Sequence, residues 1–132
     1  MKWNRVSGLR WLTLVVLLLV APAPSGKDDA TAAAMRRKLR YADRLLSGLV
    51  TQDFAGLEAN AGKLVELSRG SGWAARQTPE YALFLTEFQR ATGDLITAAK
   101  GRDVGGANPA FGQLTTSCIA CHKYIRGDEA KK

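Results

Sequence analysis

From Lys27 onward, every apolar stretch of this 132-residue chain repeats with helical spacing. None alternates with the period of two that a half-buried strand needs. Met35, Leu39, Ala42, Leu46 and Leu49 form one stripe, and Phe54, Leu57, Ala61, Leu64 and Ser68 a second. Tyr81, Phe84, Phe88, Ala91, Leu95 and Ala98 form a third, and Phe111, Leu114, Cys118, Cys121 and Ile125 a fourth. The breaks between them are marked. Asp28 or Asp29 can cap the first helix, and Gly48 to Asp53 reads as a tight turn with Thr51 or Asp53 as the next cap. Arg69-Gly70-Ser71-Gly72 ends the second helix, and Thr78-Pro79-Glu80 opens the third with proline at its first position. Gly101 to Pro109 separates the third from the fourth, which Gly127 ends. The spacing therefore predicts an all-α fold, an antiparallel up-down-up-down four-helix bundle. In that topology the start of the first helix, the Trp73 connection and the end of the last helix share one pole.

Residues 1–26 are expected to lie outside this bundle. Lys2, Arg5 and Arg10 precede an apolar run from Trp11 to Val20, broken only by Thr13, and then Ala21-Pro22-Ala23-Pro24-Ser25-Gly26. That is the layout of a secretory signal. The run falls short of the about 20 residues that span a bilayer. The alternative is an uncleaved anchor, because Pro24 sits poorly just after a cleavage point. Residues 27–132 then form one domain with a modest core. The chain holds 19 Lys and Arg against 12 Asp and Glu, and the three cations of the leader bring the excess on the domain down to +4. That excess argues against a nucleic-acid partner. Arg36, Arg37, Lys38, Arg40 and Arg44 cluster, and read first as a solvated helix face, or else as a dock for an acidic redox partner.

The only two cysteines stand in Cys118-Ile119-Ala120-Cys121-His122, with the only histidine beside them. Two thiols three residues apart on a helix point to one side. They can add to the two vinyl groups of a haem as thioethers, and the next side chain, His122, can ligate the iron. C-x-x-C-H is the haem c attachment signature. A thioredoxin-like reading wants a strand before the cysteines. A structural zinc site wants four ligands, and only three are in sight. A lone disulfide would close a tiny loop and contribute little. Export to an oxidising compartment suits covalent haem. His122 lies about 6 residues from the end of its helix, roughly 9 Å deep at 1.5 Å per residue, and Met35 lies at similar depth from the start of the first helix. Met35 is thus a candidate sixth iron ligand or a core filler. Trp73 is expected to pack near the haem, against the plainer reading of a loop anchor. The five-cation cluster is also a candidate for the haem propionates.

A haem motif near the C-terminus of a helical bundle, with Ala110-Phe111-Gly112, Ser117-Cys118 and Ala120-Cys121-His122, resembles the class II cytochromes c, the cytochrome c′ family. The likeness covers roughly Ala30 to Arg126 and extends to Asp53–Asn60 and Trp73-Ala74-Ala75. Arg126 matches a basic residue that family often keeps beside the proximal imidazole. Tyr124 departs, since an aromatic is more usual one position later. The resemblance implies periplasmic location, one haem c and frequent homodimers. Members divide by sixth ligand: a first-helix Met for electron transfer, or an apolar cover over five-coordinate iron that binds NO or CO. A gapless register puts the usual distal position at Ala32, one turn from Met35. Met–His ligation raises the reduction potential and suits an electron carrier. An open position suits a gas sensor or scavenger, and a haemless helical interaction module is the third reading. No distal histidine, acid–base pair or nucleophile accompanies the motif, so the chain is not read as an enzyme.

Overall fold

The computed structural model describes residues 26–70 and 78–129. Among them are four helices and no strand: α1 (Gly26–Thr51), α2 (Phe54–Arg69), α3 (Pro79–Lys100) and α4 (Val104–Glu129). This is the element content of a four-helix bundle. Consecutive helices pack closely, α1 on α2, α2 on α3 and α3 on α4, while α1 and α4 touch far less. None of these helices is long and apolar enough to cross a membrane. The leader, and with it the choice between signal and anchor, lies outside the described residues except for Gly26.

The core draws on all four helices. Leu45 and Leu49 come from α1, Leu57, Ala61 and Leu64 from α2, Phe88, Ala91, Leu95 and Ala99 from α3, and Ala107, Ala110 and Leu114 from α4. Each buried leucine removes enough apolar surface to favour the fold by about 1.5–3 kcal/mol. Polar groups in this core are satisfied locally. The Thr92 hydroxyl donates to the Phe88 carbonyl at 2.6 Å, and the Gln89 amide donates to Ser68 at 3.0 Å.

Three stripes were placed as expected, and the first was not. On α1 the buried positions among the described side chains are Ala34, Leu45, Gly48 and Leu49, whereas Leu39 is 69% exposed and Leu46 52%. The reason is the neighbour count. A helix packed firmly on α2 but loosely on α4 buries a narrower stripe, turned toward α2.

The turn ending α1 and the turn ending α3 share one design. Gln52 takes a left-handed φ of 54° and Arg102 one of 52°. The next residue in each, Asp53 or Asp103, donates its N–H back at 2.9 Å, to Gly48 and Ala98 respectively. Each aspartate then sits over the first turn of the following helix. Asp53 accepts from the Gly56 N–H at 2.9 Å. A Cβ on Gly56 would collide with the Asp53 carboxylate, and one on Gly106 with that of Asp103. These glycines make room for a cap. They are not loop residues, so the break expected from Gly101 to Pro109 shrinks and α4 begins at Val104 with Pro109 inside it. There Pro109 forfeits one hydrogen bond to the carbonyl four residues back. Asp28, Asp29 and Gly127 likewise lie within helices instead of bounding them. The two turns lie side by side: Arg102 stands over the Phe54 ring at 5.2 Å, and Lys100 is 3.8 Å from Glu58.

Candidate functional site

The loose contact between α1 and α4 opens into a cleft of about 300 Å³. Its walls are largely apolar. Met35, Leu39 and Ala42 come from α1, Leu64 from α2, Phe88 from α3, and Leu114, Cys118 and Ile119 from α4. His122 and Arg126 complete the α4 side. A hollow of about 20 Å³ adjoins it, sharing Met35, Lys38, Phe88, Cys118 and His122 and adding Cys121. The helical spacing explains the α4 wall. Cys118, Cys121 and His122 lie within one turn, and Leu114 and Arg126 each stand one turn from a member of that group.

Both cysteines carry reduced thiols and are half-buried. His122 is held below the ordinary imidazole value, first by partial burial and then by the charges of Lys38 and Arg126. The neutral imidazole, the form that ligates metal, is therefore the favoured one near neutral pH. Among the described residues no three His, Cys, Asp or Glu side chains converge to hold a metal ion by themselves. Cys118, Cys121 and His122 are three donors, where a structural zinc takes four. That set fits a flat apolar group fixed by two thiols and a single imidazole.

Of the residues singled out by sequence, Met35, Cys118, Cys121, His122 and Arg126 come together at these two adjoining cavities. Ala32 is exposed and lines neither. Trp73 lies outside the described residues. Tyr124 is tied to the head of α3. Its hydroxyl is 3.1 Å from the Thr78 hydroxyl, the N-cap of that helix, and its ring is 5.6 Å from Phe84.

The basic cluster splits. Arg36, Arg37, Arg40 and Arg44 are exposed, as a solvated face would be. Lys38 turns inward. Its ammonium stands 4.3 Å from the centroid of the Phe88 ring, a cation–π contact at the cleft. Burial pushes it down to about 8, against a smaller upward pull from Cys118 and Cys121. Sequence reasoning absorbed Lys38 into the charge run. The signal that identifies it is its spacing, three residues after Met35 and four before Ala42, on the wall they share. Comparison with family models, with curated proteins and with solved structures returns no match to this chain.

Proposed function

We propose that this chain is an exported c-type cytochrome of the class II kind, an up-down-up-down bundle that carries one covalent haem c and transfers electrons. One observation carries the reading. Two thiols and an imidazole on α4 share an apolar cleft with a methionine from α1. The side-by-side turns and the Thr78–Tyr124 contact support the antiparallel arrangement, since they join the end of α1 to the end of α3 and the head of α3 to the tail of α4. Cys118 and Cys121 would hold the group through thioethers, and His122 would supply the axial imidazole. When bound, haem supplies one-electron chemistry at its iron. Partial burial, and after it the charges of Lys38 and Arg126, favour the neutral form of that imidazole. Met35 is the candidate for the sixth position, and Leu64, Phe88 and Leu114 give the cleft apolar walls. The leader sequence supports export to the periplasm, where an acidic redox protein is the partner class that the exposed arginines of α1 suit.

The second reading is a five-coordinate haem protein that binds NO or CO. Its support is the apolar lining of the same cleft, where Leu39 and Phe88 stand beside Met35. A visible spectrum of the protein made in a periplasm competent for haem maturation separates the readings. A low-spin spectrum that CO barely alters supports electron transfer. A high-spin spectrum that shifts at once with CO supports gas binding. Absence of any haem band leaves a helical interaction module.

A further inference from the structure

Helix α1 has a second apolar stripe, and the bundle does not use it. Leu39, Leu46 and Val50 are 69%, 52% and 76% exposed. They are seven and four residues apart, so they lie within one narrow arc of the helix. Leu45 and Leu49 are turned away from that arc, toward the core. Leu39 borders the cleft, but Leu46 and Val50 line neither of its cavities, so a group held there does not cover them. Exposed Leu83, Val104 and Ile119 form no such row. The stripe has the seam of a coiled coil. Heptads counted from Arg36 place a and d at Arg36, Leu39, Asp43, Leu46 and Val50, all exposed. Arg37, Arg40 and Arg44 follow along one flank. None of these charged residues forms an ion pair among the described residues. The seam is about 20 Å long at the rise of an α-helix. We propose that this face of α1 is the seat of a single helix from an acidic partner protein, packed along the seam from Arg36 to Val50. That helix carries an apolar ridge, acidic residues beside it, and one basic or amide group opposite Asp43. The inference deepens the acidic-partner reading above and rests on it for the class of partner.

Charge selects this occupant. A second copy of the chain would bring four exposed arginines and one aspartate against the same set, and like charges oppose that contact. An anionic lipid surface suits the arginines, but Asp43 stands in the middle of the seam, and such a surface repels it. The exposed face from Arg36 to Val50 also lacks the aromatic residues that help to hold an interfacial helix. A protein helix answers both demands, with acids beside the arginines and one complementary group at the aspartate. A polar residue at a single a position fixes register, so Asp43 sets which heptad of the partner lies opposite it. Because Leu39 belongs to both the seam and the cleft, the seated helix runs along the edge of the cleft.

The probe is a capped synthetic peptide of about three heptads, with leucine at a and d, lysine at the a position opposite Asp43, and glutamate at e and g. Its fluorescence anisotropy is titrated against the protein made in a periplasm competent for haem maturation. Saturable binding that weakens as salt rises is expected, with none to a scrambled peptide of the same composition. Leu46→Asp, and Arg36→Glu with Arg40→Glu, are each expected to weaken it by about tenfold or more. Helix content by circular dichroism should not change, since all three side chains are exposed. A peptide with lysine in place of glutamate is expected to bind the charge-reversed variant about tenfold better than it binds the unsubstituted protein, an exchange that damage to the fold cannot produce. Equal binding of the scrambled peptide, indifference to Leu46→Asp, or no binding at all overturns the proposal. So does a different occupant: phosphatidylglycerol vesicles that bind, or a dimer that forms in sedimentation velocity, in a manner that Leu46→Asp abolishes while the peptide is ignored. The pyridine haemochrome of the same preparation separates the two readings. Peptide binding without a haemochrome upholds the seam and sinks the electron-transfer reading, whereas a haemochrome without peptide binding sinks the seam alone.

Discussion

The two ends of the bundle are built on opposite plans. At one end, the paired turns at Gln52-Asp53 and Arg102-Asp103 lock four helix termini together, and Leu45, Leu57 and Leu95 are wholly buried beside them. At the other, Ala34 is the one buried residue among residues 29–44 of α1, and α1 and α4 part around a cleft lined by Met35, Lys38, Cys118 and His122. The first end is closed by its own side chains. The second offers apolar walls with too few side chains between them. The difference teaches where the helices leave apolar surface that their own side chains do not cover. Leu39 and Ile119, at the edges of that cleft, are more than half exposed.

Four changes test that contrast, the largest first. Cys118→Ser with Cys121→Ser removes the means of covalent attachment. It is expected to cost a large share of the roughly 5–15 kcal/mol of stability that a small domain has. Hydrogen exchange should speed up first around Ala34 and Cys118 while amides near Leu57 and Leu95 keep their protection. An apoprotein as stable as the holoprotein would sink the idea. Leu95→Ala strikes the closed end instead. A cavity there is expected to cost about 2–5 kcal/mol in denaturant unfolding, with the haem spectrum unchanged.

Lys38→Met, made in the cysteine-free apoprotein, should raise stability at neutral pH by about 1–3 kcal/mol, because a buried ammonium is replaced by an apolar chain of similar length. The sign follows from the shift. The folded state holds this proton less well than the unfolded chain, whose value is 10.5, so the penalty is fully present below about 8 and gone above 10.5. Urea midpoints should therefore show the gain shrinking across that window. A gain that does not vary with pH assigns it to packing instead of charge. The smallest effect belongs to Asp53→Ala, which removes the carboxylate that caps α2 through Gly56. It is expected to cost about 1 kcal/mol in thermal unfolding and to leave the spectrum alone.

The helix content and the core positions of α2, α3 and α4 were legible in the sequence, because each depends on spacing within one segment. The face of α1 was not. Periodicity defines an apolar stripe, but which side of it is covered depends on how tightly each neighbour packs, and α4 stands off. The limits of α4 were misjudged for a related reason. Gly105 and Gly106 carry the composition of a loop, yet they lie beneath the Asp103 carboxylate, a contact visible only once the turn is formed. Lys38 was hidden by its company. Charge runs are read as a group, and only the angle around the helix separates the one cation that turns inward from the four that do not.

The paired turns have a mechanical consequence. The two-residue connection after α1 and the three-residue connection after α3 lie side by side, where Arg102 on Phe54 and Lys100 beside Glu58 bind one to the other. The arms α1 and α4 belong to different hairpins and share few contacts along their length. On the haem reading proposed above, the molecule would act like tongs, riveted at the aspartates and gripping at the thiols. A flat group held between the jaws would then be accommodated by a slight spread of the arms, with the lever's pivot far from the grip. Thickness at the jaw, and not rearrangement at the rivet, is what such a tool adjusts.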